Sequence, residues 1–163
     1  PKFREMAKGK KTSFNLLAFF FPSAWVFSRK MYKLGALTAT VEIVCSLLMR
    51  PFMIEFNRFA QNVGQTINPY QKVLNEMAKE TSGWILLAAF FAGLVSTALA
   101  VLIGIFGDKL YYKHTVSKIK EIKETSDEVE DDIRSKGGVS VLLFVITFVA
   151  IEYILPNLIF SFL

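Results

Sequence analysis

The sequence predicts an all-α integral membrane protein, a helical bundle with three transmembrane helices. Hydrophobic residues make up 53% of the 163 residues, including sixteen phenylalanines, and the mean hydropathy is +0.40. A soluble domain of this size cannot hide so much apolar surface, so lipid must be part of its solvent. Residues 83–107, GWILLAAFFAGLVSTALAVLIGIFG, carry no charge, and Trp84 and Tyr111 lie where interfacial aromatic residues are expected. This stretch is the clearest transmembrane span.

Two further apolar segments, residues 34–54 and 139–163, are long enough to cross a bilayer. Each is interrupted, by Glu42 and Arg50 in the first and by Glu152 and Pro156 in the second. Arg50 can extend its long side chain toward the interface, and Pro156 is expected to kink the last helix near its outer end. We therefore predict three spans, with residues 1–163 forming a single membrane domain.

The N-terminal apolar stretch is too short to be a fourth span. Residues 14–27 are mainly apolar, and Pro22 removes a backbone donor from their middle. Basic residues flank the stretch on both sides, so a span would place one of the two clusters outside, against the positive-inside rule. We expect residues 1–33 to form a basic cytoplasmic N-terminus followed by an interfacial helix or a shallow re-entrant hairpin, in preference to a span.

The charges of the connecting segments predict the orientation. Residues 108–138 begin with lysines close to the preceding span, which favours a cytoplasmic helix there. Residues 55–82 then form an external loop with a helix over residues 69–80, lying on the outer leaflet or against the bundle. The N-terminus is predicted to be cytoplasmic and the C-terminus external.

The opening of the chain resembles a bacterial family of small integral membrane proteins catalogued as domain of unknown function 2628. The residues that carry the resemblance are Phe14, Asn15, the aromatic run 19–21, Trp25, Arg29, Lys30, Tyr32 and Gly35. The segments GDKLYYKHTVSKI and KGGVS are similar to later motifs of that family, whereas Ser28 stands where its members more often have tyrosine. The resemblance implies a multi-pass protein of the bacterial inner membrane and supplies no activity.

One face of the span over residues 83–107 carries small residues. Ala92, Ser96, Ala100 and Gly104 recur every fourth position. Small residues let helix backbones approach closely where lipid supplies no hydrophobic drive. We expect this helix-packing seam to be buried within the chain, with a dimer seam as the alternative.

Two carboxylates within spans are the sharpest candidates for a functional role. Glu42, with Thr38 on the same helical face, and Glu152 form a candidate ion or proton path, because a carboxylate in hydrocarbon must face protein or water. Alternatively, Glu42 is protonated and hydrogen-bonded to Ser96 or Thr97. For Glu152 the alternative is that it reaches headgroups or pairs with Arg50.

The remaining patterns exclude several classes of function. No nucleophile, metalloprotease or phosphate-loop motif occurs in the sequence, so an enzyme is not expected. One histidine and one cysteine do not make a zinc site, and no metal or cofactor is expected. The net charge of +5 lies beside apolar segments, which favours anionic lipid over nucleic acid.

The sequence thus predicts a non-enzymatic scaffold or accessory subunit. Residues 111–134 would contact a protein partner, and homo-oligomers are possible. The residues expected to contact lipid headgroups are Trp25, Arg29, Lys30 and Lys33. The alternative function is a small oligomeric channel or transporter that uses Glu42.

Overall fold

The computed structural model describes residues 14–62, 81–126 and 128–162, together with residues 75 and 79. Throughout this part of the chain the regular elements are helices and none is a strand, which confirms the all-α prediction. In order they are α1 (Leu16–Phe20), α2 (Pro22–Ser28), α3 (Tyr32–Asn62), α4 (Gly83–Thr125), α5 (Val129–Lys136), α6 (Val141–Val149), a π-helical turn (Ala150–Ile154) and α7 (Leu155–Ser161).

Three of the described helical segments are long and apolar enough to cross a membrane, as predicted. They are Tyr32–Gln61, Gly83–Thr125 and Val141–Ser161, which contain 18-residue windows with mean hydropathies of 1.5, 2.5 and 2.1. Large apolar side chains such as Phe90 and Leu94 are more than half exposed on the outside of the bundle. An apolar surface of this extent is typical of a membrane or protein interaction site.

The helices are longer than the sequence predicts. Helix α3 continues through Pro51 to Asn62, and α4 runs without interruption for 43 residues. At about 1.5 Å per residue α4 is roughly 65 Å long, more than twice the hydrocarbon thickness. The predicted span 83–107 and most of the predicted helix 108–138 are therefore one rod.

The continuity of α4 has a local cause. No glycine or proline interrupts residues 108–125, and the ion pairs Lys118–Glu121 (2.7 Å) and Lys120–Glu124 (3.8 Å) lie along the helix surface. The helix ends at Ser126, and α5 then packs against it. The predicted helix over residues 69–80 lies outside the described residues except at positions 75 and 79, which are helical.

The last span contains an irregular turn just before Pro156. Proline has no N–H, so the carbonyl four residues earlier, that of Glu152, loses its helical partner. The π-helical turn Ala150–Ile154 lies at this point, and Leu155 donates to the Ala150 carbonyl across the wider turn. The helix thus continues past the proline to Ser161.

Residues 14–29, here called the N-terminal hairpin, pack between the three spans. Helix α1 lies against α4, and α2 lies against α3 and α6. Ala18, Trp25 and Val26 are at most 1% exposed and cluster with Met31 and Ile103. The N-terminal hairpin therefore supplies much of the buried core.

Candidate functional site

The N-terminal hairpin begins beside Asp108, where the apolar part of α4 ends. The Asn15 side-chain oxygen accepts from the Ala18 N–H (3.1 Å) and caps α1, while its amide nitrogen donates to Asp108 Oδ1 (2.8 Å). The Asn15 backbone N–H also donates to the Gly104 carbonyl (2.8 Å). These bonds fix the start of the hairpin to one end of α4.

The hairpin ends close to where it begins. Lys30 and Met31 donate to the carbonyls of Phe27 (2.8 Å) and Val26 (3.3 Å), and Lys30 has a φ of 60°. This pattern is a Schellman motif, which stops α2 sharply. The Ser28 carbonyl accepts from the Ser140 N–H (2.9 Å) at the start of α6. The chain enters and leaves at the same end of the bundle, the geometry expected of a re-entrant hairpin.

The structure corrects the headgroup contact predicted for Trp25. Its side chain is 1% exposed and meets Tyr111 edge to face, with ring centroids 6.4 Å apart. The Arg29 guanidinium lies 5.2 Å from the Trp25 ring centroid and 4.7 Å from that of Tyr111. Trp25 therefore packs inside the protein, because the hairpin turns its ring toward α4.

The three basic residues predicted to contact headgroups have different surroundings. Arg29 is half-buried beside the two aromatic rings, and Lys30 Nζ donates to the Gly137 carbonyl (2.8 Å). Lys33 is exposed in the first turn of α3. Headgroup contact by Arg29, Lys30 and Lys33 stays a prediction.

The predicted helix-packing seam is occupied by two different parts of the same chain. A Cβ added at Gly104 would lie 2.8 Å from Phe14 Cε2 and 3.1 Å from Phe19 Cβ, so the glycine is needed for the hairpin to approach. At the other end Ala92 is 3% exposed and lines an apolar groove with residues of α3. Ser96 and Ala100, in between, are half-buried.

One glycine contact at this face was not predicted. Gly107 faces the Trp25 ring, and an added Cβ would lie 3.1 Å from Trp25 Cζ3. Gly107 is one position off the four-residue repeat of the seam. The sequence signal for it is the second glycine of GIFG at the end of the apolar run.

A polar cavity brings together the two predicted carboxylates. It has a volume of about 410 Å³, lies between α3, α4 and the last span, and is open to the surface, where Ser46, Glu152 and Asn157 are exposed. Its polar lining residues are Glu42, Ser46, Arg50, Ser96, Glu152 and Asn157. Glu42 and Glu152 thus line the same space, and an ion or proton path through it stays a prediction.

Thr38, the third residue of that candidate path, lies elsewhere. Its side chain is 1% exposed, and its hydroxyl donates to the Gly35 carbonyl (3.0 Å) within α3. It is not among the residues that line the cavity. Thr38 therefore does not share this cavity with the two carboxylates.

Glu42 is held by a residue of the N-terminal hairpin. Its Oε1 accepts from the Ser23 backbone N–H (3.1 Å), and its Oε2 accepts from the Ser23 hydroxyl. Pro22 and Ser23 open α2, where backbone N–H groups have no helical acceptor. The predicted partners Ser96 and Thr97 are thus replaced by Ser23, which hydropathy alone does not indicate.

Arg50 binds the last span without pairing with Glu152. Its Nη1 donates to the Pro156 carbonyl (2.9 Å), its Nη2 donates to Asn157 Oδ1, and its guanidinium lies 4.5 Å from the Phe160 ring centroid. The Glu152 side chain makes no hydrogen bond or ion pair among the described residues. The same part of the chain holds no cluster of three potential metal ligands.

The family model for "Protein of unknown function (DUF2628)" matches residues 1–116, more than two thirds of the chain. The chain belongs to this family. The resemblance seen in the opening residues is thereby confirmed. Comparisons with curated proteins and with solved structures gave no match.

The DUF2628 match covers only one side of the cavity. It includes the N-terminal hairpin, α3 and the apolar part of α4, and so contains Ser23, Glu42 and Arg50. The last span, with Glu152 and Asn157, lies beyond the matched residues. The cavity is thus completed by a segment that the family model does not reach.

Proposed function

We propose that this DUF2628 protein is a non-enzymatic scaffold or accessory subunit of the bacterial inner membrane. The observation that carries the proposal is the continuity of α4, which joins an apolar span to an exposed polar helix without a break. A binding surface on such a rod is fixed in position relative to the membrane. The N-terminus is placed in the cytoplasm and the C-terminus outside, on the basis of the lysines that follow Asp108.

The surface of this polar helix, residues 109–125, suits a protein partner. Ile122 is 8% exposed, and α5 packs against α4, so part of the apolar side is covered by the chain itself. Val116 is 49% exposed with Lys113 and Lys120 beside it, and Glu121 and Glu124 follow toward the end of the helix. Charged groups arranged in this way favour a protein partner with complementary charges.

Site-specific photo-crosslinking in cells tests this proposal. A crosslinking residue at Val116 of the full chain should give one discrete protein adduct, and Lys113→Glu should weaken it. The matched control is Leu94, which is 54% exposed on the apolar part of the same helix and should give lipid adducts only. Lipid adducts alone at Val116 would exclude a scaffold that uses this surface.

The cavity favours a second candidate, a small oligomeric channel or transporter that uses Glu42. A cavity lined by two carboxylates within the spans is a site where a cation can pass. In liposomes Glu42→Gln should abolish flux. Glu55→Gln is the control, because Glu55 lies on the same helix, pairs with Arg58 at 2.8 Å and does not line the cavity. Full flux in Glu42→Gln would remove this mechanism.

A further inference from the structure

We propose that Arg29 binds one phosphate group at the end of the bundle where the N-terminal hairpin enters and leaves, and that an anionic phospholipid supplies it. The site is more specific than the general headgroup contact that the sequence predicts, because one side chain binds the phosphate while Trp25 and Tyr111 hold that side chain in place. It does not depend on the scaffold role, which the crosslinking at Val116 tests separately.

Two aromatic rings position the Arg29 guanidinium. Its Cζ lies 5.2 Å from the Trp25 ring centroid and 4.7 Å from that of Tyr111, within the range of cation–π attraction. The Trp25 ring is itself fixed, since it is 1% exposed and packs against Gly107. An arginine held in this way loses little conformational freedom when a ligand binds, which favours affinity.

The guanidinium has hydrogen-bond donors that the chain leaves unused. Among the described residues Arg29 makes no side-chain hydrogen bond and no ion pair, and its Nε is buried without an acceptor. The terminal nitrogens are not buried in the same way, so an acceptor outside the chain can reach them. Arginine keeps its positive charge under all ordinary conditions, and phosphate oxygens accept two parallel hydrogen bonds from a guanidinium.

The segments that meet at this end of the bundle supply almost no negative charge. Residues 14–41 and 137–151 contain no acidic residue, and residues 83–120 contain only Asp108. Asp108 is 8% exposed and accepts from Asn15 (2.8 Å). Helix α5 carries acidic residues, but none of them pairs with Arg29. Basic residues without acidic partners attract anionic lipids.

The depth of Arg29 favours a lipid as the source of the phosphate. Tyr111 lies one turn beyond Gly107, the last residue of the apolar run of α4. The Ser28 carbonyl, next to Arg29, accepts from the Ser140 N–H (2.9 Å) at the start of the last span. Arg29 therefore lies where two spans end, which is the level of lipid headgroups in a bilayer.

Thermal unfolding and native mass spectrometry of the purified full chain, in a neutral detergent at constant pH and ionic strength, test the site. Phosphatidylglycerol should raise the unfolding temperature saturably and give a complex with one retained lipid, because ligands that bind the folded state stabilise it. Phosphatidylcholine, which has no net charge, should do so much less. Equal effects of the two lipids, or stabilisation by inorganic phosphate without any by phosphatidylglycerol, would overturn the proposal without any need for a variant.

Variants then assign the phosphate to Arg29. Arg29→Gln should weaken phosphatidylglycerol binding by about tenfold or more, the scale expected for a lost charged hydrogen bond. The matched control is Lys33→Gln, which removes the same charge from an exposed side chain and should have the smaller effect. Equal effects of these two substitutions would show diffuse attraction to the surface and overturn the site.

Two substitutions of Tyr111 test the role of the rings. Tyr111→Phe keeps the aromatic face under the guanidinium and should bind phosphatidylglycerol as wild type does, whereas Tyr111→Leu removes that face and should bind it more weakly. Equal binding by both variants would mean that Tyr111 does not position Arg29.

Discussion

Ser23 and Glu42 join the tip of the N-terminal hairpin to the middle of α3. The Ser23 backbone N–H lies 3.1 Å from Glu42 Oε1, and its hydroxyl donates to Oε2. Ser23 is 3% exposed, so protein surrounds this contact. The position of the N-terminal hairpin and the hydrogen bonding of the Glu42 carboxylate thus depend on each other.

A double-mutant cycle should detect this dependence. Ser23→Ala removes the hydroxyl donor and should lower the free energy of unfolding by about 1–3 kcal/mol, the cost of leaving a buried acceptor without its donor. The double variant Ser23→Ala with Glu42→Gln should lose about 1 kcal/mol less than the sum of the two single losses, because both substitutions alter the same hydroxyl–carboxylate bond. Unfolding in mixed detergent micelles measures each value.

The control cycle pairs Ser23→Ala with Glu152→Gln. Glu152 makes no hydrogen bond to Ser23, so these two losses should add. Equal coupling in the two cycles would show that the hydroxyl does not act through Glu42.

Two glycines of α4 provide a matched test of how closely the hairpin approaches. An added Cβ at Gly104 would meet Phe14 and Phe19 at 2.8–3.1 Å, whereas at Gly93 it would meet nothing within 4 Å. Replacing a helical glycine with alanine gains about 1 kcal/mol from helix propensity. Gly93→Ala should therefore be neutral or stabilising, while Gly104→Ala should lower the unfolding temperature.

Protease sensitivity distinguishes hairpin displacement from a general loss of stability. Cleavage at Arg29 or Lys30 should rise in Gly104→Ala under native conditions and stay at the wild-type level in Gly93→Ala. Equal stability and equal cleavage of both variants would mean that Phe14 and Phe19 do not lie against this face.

The spans were predictable because hydropathy is a local property of the sequence. A run such as residues 83–107 needs lipid whatever it packs against, and the proline and flanking charges of the hairpin argue against a fourth span from the sequence alone. Glu42 and Glu152, which the sequence analysis assigns to one candidate path, line the same cavity, where Glu42 is partly buried and Glu152 is exposed.

The partners of the charged groups were not predictable in the same way. Glu42 binds Ser23 and Arg50 binds Pro156 and Asn157, contacts set by how the hairpin and the last span are positioned. Pro22 marks the start of α2, but no sequence pattern predicts which helix the free N–H groups of the first turn of α2 will face. Trp25 matched the interfacial pattern and proved to be core, because the pattern does not separate a residue facing lipid from one facing α4.

Arg50 should hold the last span in place because both terminal nitrogens of its guanidinium donate hydrogen bonds to that span. Lysine keeps the charge but cannot donate to the Pro156 carbonyl and Asn157 in the same fork geometry, and it loses the stacking on Phe160. Arg50→Lys should lower the free energy of unfolding by about 1–3 kcal/mol. Hydrogen exchange should become faster in α7 and stay unchanged in α4.

The control for this substitution is Arg58→Lys. Arg58 lies on the same helix, and its ion pair with Glu55 is a surface pair with a side chain 56% exposed. Surface pairs contribute little, so the change should cost less than about 1 kcal/mol. Equal effects of the two substitutions would mean that Arg50 does not anchor the last span.

Cysteine accessibility in intact cells should establish the topology. With Cys45 replaced by serine, single cysteines at Lys33, Ser82 and Ser126 report on the start of α3, the start of α4 and the end of α4. An impermeant thiol reagent should label only Ser82→Cys, because the positive-inside rule places the other two positions in the cytoplasm. Permeabilised cells should show labelling at all three, which controls for buried or unreactive thiols. Labelling of Lys33→Cys and Ser126→Cys from outside, without Ser82→Cys, would invert the orientation and place the polar helix 109–125 outside the cell, where the proposed cytoplasmic partner could not reach it.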